Sequence, residues 1–152
     1  MRIMGVEMKK SFLAVFFTII MVSSVNAQST LLLQEKCAEV VKKSLGEGGI
    51  SREKNGDMTS VGYTNHYNKK LDKCFVLISS TTFTHTIKGQ AQTQFSQELW
   101  NAMEQKEIGS YYSNQVKEGS SWKYYINGCK VGDTICQSRG EFEALIKPYM
   151  EE

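Results

Sequence analysis

Residues 129–136 read Cys129-Lys130-Val131-Gly132-Asp133-Thr134-Ile135-Cys136, a pattern that predicts a β-hairpin closed by a disulfide. Gly132-Asp133 suits a two-residue turn with glycine in first place. In that register Cys129 lies opposite Cys136. Opposed residues of antiparallel strands have Cα atoms about 4.5–5.5 Å apart, which a disulfide can bridge.

The two remaining cysteines, Cys37 and Cys74, are then left for each other. Four cysteines allow three connectivities, and only the hairpin geometry selects this one. A structural zinc site is the alternative, but it favours cysteines two to four residues apart, whereas six residues separate Cys129 from Cys136. We therefore expect two disulfides and no metal or other cofactor.

Helices are predicted near both ends of the chain. Residues 30–45 place Leu33, Cys37, Val41 and Leu45 on one apolar face, and Gly46 can end the helix. Near the C-terminus, Ser138 and Glu141 form a capping box in which each side chain satisfies a backbone N–H of the first turn. The apolar face that follows consists of Phe142, Leu145, Ile146 and Tyr149.

The middle of the chain favours strands. Residues 60–67 and 73–83 predict a hairpin, and residues 122–127 alternate as a further strand. The glycine-rich polar segment 46–59 is interpreted as a mobile surface loop. Residues 94–112 fit either a helix or a hairpin, and we favour the hairpin. The sum is an α+β fold: an antiparallel sheet with an N-terminal and a C-terminal helix packed on it.

The first 27 residues have the features of a secretory signal peptide. Two lysines, Lys9 and Lys10, precede an apolar run over 12–22, and Val25-Asn26-Ala27 supplies a cleavage site. The run is too short for a membrane helix, which needs about 20 apolar residues. We expect cleavage after Ala27, a single domain over 28–152 with no membrane span, and a periplasmic or secreted location. Translation may start at Met1 or at Met8.

Charge argues against nucleic acid as a partner. The full chain has 18 basic and 16 acidic residues. Removing residues 1–27 takes away three basic residues and one acidic residue, which leaves 15 of each and a net charge of zero. A protein that neutralises phosphates needs a basic excess, and none remains here.

A distinctive segment runs from Tyr63 to Val76 (YTNHYNKKLDKCFV), with Cys37 before it and Cys129 and Cys136 after it. In these residues the chain resembles a set of small exported bacterial proteins that share a Y-x-N-H-Y-N-x-K-L-x-K-C-F segment and two cysteine pairs. The resemblance covers most of residues 28–152. It implies a bacterial source and an exported, disulfide-bonded protein, but no activity and no ligand.

Aromatic residues give the clearest functional indication. Five of them crowd around Gly119-Ser120-Ser121: Tyr111, Tyr112, Trp122, Tyr124 and Tyr125. Tyrosine and tryptophan are enriched at binding surfaces, so we take these five as a possible binding surface, although on a small sheet about half should face the core.

Catalytic signals are weak. His66 has no carboxylate fixed beside it by strand alternation, and the chain lacks a Gly-x-Ser-x-Gly nucleophile elbow. Carboxylate pairs such as Glu104 with Glu107, or Glu141 with Glu143, could in principle act in acid–base chemistry. The electrostatics of a helix start explain the second pair better.

Three functions remain open at this point. The first is a non-enzymatic exported protein that binds an exported protein or an envelope component, and an inhibitor of an extracellular hydrolase is a specific form of it. The second is a non-enzymatic envelope protein with a structural role and no small ligand. The last is a hydrolase that uses His66 as general base, which requires a cleft with a titratable group beside that histidine.

Overall fold

The computed structural model describes residues 29–52, 56–85 and 91–151, so the predicted signal peptide lies outside it. Seven antiparallel strands form one sheet in chain order. Their bounds are β1 (Gly49–Arg52), β2 (Met58–Asn68), β3 (Lys73–His85), β4 (Ala91–Asn101), β5 (Lys106–Glu118), β6 (Ser121–Val131) and β7 (Thr134–Ile135). Helix α1 covers residues 29–45 and helix α2 covers Arg139–Met150. The predicted α+β class is confirmed.

The ambiguous segment 94–112 is a hairpin. Strands β4 and β5 pair through a turn over residues 102–105, in which Gln105 adopts a φ of 52°. The helix propensity of this segment is outweighed by tertiary packing, because Leu99 and Tyr111 are both fully buried against the sheet core. A register shift between Leu99 and Trp100 marks a bulge near the turn.

The interpretation of residues 46–59 as a loop is wrong in part. Residues Gly49–Arg52 form β1, which pairs with Met58–Val61 of β2. This strand is held by backbone pairing rather than by buried side chains, since Ile50 is 77% exposed. Nothing in the alternation of its side chains could therefore indicate it.

Helix α1 packs on one face of the sheet through a small core. The disulfide between Cys37 and Cys74 has a Cα–Cα distance of 5.4 Å and lies beside the buried Val41, Tyr67 and Val76. The predicted apolar face is narrower than expected. Leu33 and Leu45 are 38% and 41% exposed, whereas Cys37 and Val41 are fully buried.

Helix α2 packs on the opposite face, where the larger core lies. Phe142 and Ile146 insert among Phe75, Leu99 and Tyr111, and the ring of Tyr149 meets Phe75 edge-on at 5.3 Å between centroids.

The capping box of α2 is confirmed on one side only. Oγ of Ser138 accepts from the backbone N–H of Glu141 at 3.1 Å, as expected. The carboxylate of Glu141 accepts instead from the N–H of Gln137 at 2.7 Å, one residue before the cap. The side chain of Glu141 thus reaches past the cap residue to a donor outside the helix.

The predicted hairpin at the end of the sheet is confirmed. Val131 pairs with Thr134 and Lys130 with Ile135, and Gly132 has the positive φ of 57° that this turn requires. Cys129 and Cys136 form the second disulfide, with a Cα–Cα distance of 5.0 Å. Neither helix of the described part of the chain is long and apolar enough to cross a membrane.

Candidate functional site

The five aromatic residues named from the sequence divide between the core and two surfaces. Tyr111 has no exposed area and packs between Phe95 and Phe142, with ring centroids 6.2 and 5.9 Å away. The other four, Tyr112, Trp122, Tyr124 and Tyr125, are between 38% and 51% exposed. Tyr111 thus contributes to the core, and the exposed four belong to β5 and β6.

Strand alternation places the exposed four on two faces. Tyr124 lies on the α2 face, since its hydroxyl hydrogen-bonds that of Tyr111, and Trp122 shares that face two residues away. Tyr112 and Tyr125 lie on the α1 face. The aromatic residues therefore surround the last long strand on both sides instead of forming one flat patch.

Strand β6 has an open backbone edge. On one side it pairs with β5 along Ser121–Val131, whereas on the other side β7 pairs only with Lys130 and Val131. The N–H of Cys136 reaches the carbonyl of Cys129 at 3.1 Å and extends that cover by one residue. On that outer side, residues 121–128 pair with no strand of the described chain, and we call this side the β6 edge.

On the opposite side of the sheet, the edge of β2 is covered at both of its ends. Strand β1 pairs with the first four residues of β2, and beyond it the side chain of Gln34 continues the cover. Nε2 of Gln34 donates to the carbonyl of Asn65 at 3.4 Å, and its Oε1 accepts from the N–H of Tyr67 at 2.7 Å. The amide of Gln34 thus makes the two bonds that a neighbouring strand would make.

A cavity of about 340 Å³ lies between α1 and the sheet. Its apolar walls come from Val41 and Leu45 of α1 and from Val76, Ile78 and Trp100 of the strands. We call it the α1 cavity. The sequence did not indicate it, because its volume depends on how far the helix stands from the strands.

Glu98 lies at the rim of this cavity, where two neutral groups bond it. One carboxylate oxygen accepts from the hydroxyl of Tyr112 at 2.8 Å, and the other accepts from the indole N–H of Trp100 at 3.1 Å. Burial, the bond to Glu98 and the nearby charges of Glu98 and Glu107 raise the pKa of Tyr112 to about 12. The pKa of Tyr111 is also raised, first by burial and then by its bond to Tyr124.

The catalytic candidates have structural contacts. Glu104 forms an ion pair with Lys73 at 2.9 Å, and this bond lowers the pKa of its carboxyl. The carboxylate of Glu141 accepts from the N–H of Gln137, and Glu143 pairs with Arg139 at 2.8 Å. These contacts explain why carboxylates occur at these positions without invoking acid–base chemistry.

His66 lies opposite Phe75 on the α2 face of β2. Its Nε2 is buried and has no hydrogen-bond partner in the described part of the chain. The hydrolase hypothesis needs a titratable group beside this histidine, so it gains no support here and stays a prediction. The described ranges also contain no group of three or more histidine, cysteine, aspartate or glutamate residues placed to hold a metal ion.

Comparison of the chain with models of known protein families, with curated proteins and with solved structures finds no match. The resemblance to small exported bacterial proteins therefore stays a prediction.

Proposed function

We propose that this protein is an exported, non-catalytic binding protein that holds an extended segment of another exported protein as an added strand beside β6. The open β6 edge carries the proposal. Unpaired N–H and C=O groups on a strand form a ready template for a further strand, and recognition by strand addition draws its affinity from such main-chain bonds.

The difference between the two edges of the sheet supports a role for the β6 edge in binding a partner. Proteins ordinarily cover or interrupt sheet edges, because an open edge invites unwanted pairing. Here β1 and Gln34 cover the β2 side, while residues 121–128 stay open. The sheet thus ends in a four-residue outer strand at β1, whereas the longer open stretch at residues 121–128 of β6 stays available for a partner.

The side chains beside the β6 edge suit a peptide partner. Trp122 and Tyr124 stand on one face and Tyr125 on the other, each at least 42% exposed. An added strand would present alternate side chains to both faces, so it would contact an aromatic group on each. Aromatic residues are the usual energetic anchors of protein interfaces.

The disulfides fit the exported setting. Two disulfides with no free cysteine in the described chain are typical of proteins that mature in an oxidising compartment. The partner is then sought among exported proteins.

Site-specific photocrosslinking tests this proposal. The photoreactive residue benzoylphenylalanine replaces Trp122 or Tyr125 in one pair of variants and Ile50, on the opposite edge, in the control. All three variants are irradiated with the exported-protein fraction of the source cells. We expect the first two to crosslink one and the same protein and the control to crosslink none of it.

The crosslinked segment is then synthesised as a peptide. Its binding should protect backbone amides of residues 121–128 from hydrogen exchange, and Trp122→Ala should weaken it about tenfold or more, whereas Ile50→Ala should not. Crosslinking from both edges alike, protection elsewhere, or adducts consisting only of a second copy of this chain would overturn the proposal.

A further inference from the structure

We infer that the α1 cavity binds a small organic cation: an amine whose charged nitrogen meets Glu98 and whose apolar body lies under α1. The cavity is separate from the β6 edge, so this inference does not depend on the proposed function. It rests on the shape, lining and charge of the site.

The lining suits an apolar ligand body. Leu45 and Ile78 offer accessible aliphatic surface over the buried Val41 and Val76, and the partly buried indole of Trp100 adds an aromatic one. A volume of about 340 Å³ lies at the lower end of the range for small-molecule sites. Such sites are mostly apolar with a few fixed polar groups, which matches this composition.

Of the residues that line the α1 cavity, Glu98 is the charged one, and the other polar ones, Ser44, Asn101 and Gln105, are neutral. Glu98 accepts hydrogen bonds from Trp100 and Tyr112, both neutral, and forms no ion pair within 4.0 Å in the described residues. Glu107 lies directly opposite Trp100 in the β4–β5 register and therefore on the same face. Trp100 thus stands next to two carboxylates.

Basic residues of this face are placed elsewhere. Lys130 is separated from Glu98 by β5, since both residues pair with Ser110, and this puts their strands about 10 Å apart. Lys123 is paired with Glu118 at 2.5 Å. Lys42, on α1, is paired with Glu47 at 3.1 Å.

A cationic ligand matches this arrangement better than a neutral or anionic one. An ammonium group can form a charge-assisted bond to Glu98 while it lies against the indole face of Trp100, an interaction that aromatic rings offer only to cations. The two neutral donors hold the carboxylate in place before the ligand arrives, so little ordering is needed on binding.

Three matched probes test the inference: 2-phenylethylammonium, the neutral 2-phenylethanol and the anionic 3-phenylpropanoate. Binding is followed by NMR titration of the full folded protein. The indole N–H resonance of Trp100 reports directly, because that group donates to Glu98. We expect the ammonium probe to shift it and to bind about tenfold or more tightly than the alcohol, and the carboxylate to bind weakest.

Two variants distinguish the effect of the Glu98 charge on binding from any effect of the substitution on folding. Glu98→Gln keeps the size of the side chain and should lower the affinity for the ammonium probe about tenfold while leaving that for the alcohol unchanged. Glu39→Gln removes the same charge from an exposed position of α1 and should change neither. Equal binding of amine and alcohol, an unchanged affinity in Glu98→Gln, or shifts that do not involve Trp100 would overturn the inference.

Discussion

The side-chain amide of Gln34 accepts a 2.7 Å hydrogen bond from the backbone N–H of Tyr67, although the two lie 33 positions apart in the chain. Together with its weaker bond to Asn65, this contact ends the free edge of β2 where β1 no longer reaches. One residue of α1 therefore both fixes the helix on the sheet and blocks an edge that could otherwise pair with other chains.

Gln34→Met should destabilise the protein by about 1–2 kcal/mol, because it removes both bonds while keeping the length of the side chain. Urea unfolding measures the free energy. The exposed neighbour Glu35→Gln is the control and should change stability by less than about 0.5 kcal/mol. If Gln34→Met unfolds at the wild-type urea concentration, the bonds at the β2 edge contribute nothing.

The two disulfides should differ in their effect on stability. The bond between Cys37 and Cys74 spans 37 residues, whereas that between Cys129 and Cys136 spans seven. In the chain-entropy model, removing the first costs about 4 kcal/mol and removing the second about 2 kcal/mol. Double alanine variants of each pair, compared by urea unfolding, check this order, and a larger loss for the hairpin pair would contradict it.

Gly109 should not tolerate a side chain. A Cβ at this position would lie 2.7 Å from the carbonyl oxygen of Lys130 and 2.9 Å from Cγ2 of Val131, both on β6. We expect Gly109→Ala to cost about 1–3 kcal/mol, since neighbouring backbone must shift. Gly140→Ala is the opposite case. A Cβ at this position of α2 meets open space, so the substitution should stabilise the protein by up to about 1 kcal/mol. Thermal unfolding distinguishes them by sign.

Tyr112 makes stability fall at high pH. Its pKa of about 12 in the folded protein exceeds the usual tyrosine value near 10. Between these values the folded state keeps the phenol proton that the unfolded chain has released, so its stabilising effect is complete below about pH 10 and lost as the pH rises through about 12.

Tyr112→Phe cannot ionise and should therefore lose stability less steeply across that pH window. Urea unfolding at a series of alkaline pH values measures the slope. In Glu98→Gln the tyrosine should ionise at lower pH than in the wild type, since a nearby charge that opposes ionisation is gone. The ring resonances of Tyr112 report its ionisation. If its pKa is the same in Glu98→Gln as in the wild type, Glu98 does not raise the pKa of Tyr112.

The sequence predicted the elements whose pattern is local. The Cys129–Cys136 hairpin followed from its turn and facing residues, and strands β2 and β6 followed from alternation. Strand β1 was missed because backbone pairing alone holds it. Glu98 and Trp100 lay in a segment that fitted helix or strand, and only a strand places both on one face beneath α1. Their role depends on packing between distant segments.

The start of α1 and the end of α2 lie at the same end of the sheet. Gln34, near the start of α1, bonds to the end of β2, and the carbonyl of Glu151 accepts from the side chain of Asn68 at the same end. The turn between β5 and β6 lies at the other end of strands about 40 Å long. A linker joined at residue 29 or 151 would therefore anchor the protein at one pole. It would place Trp122 and Tyr124, near the β5–β6 turn, at the end of the sheet far from the support, which suits display on a bead or sensor chip.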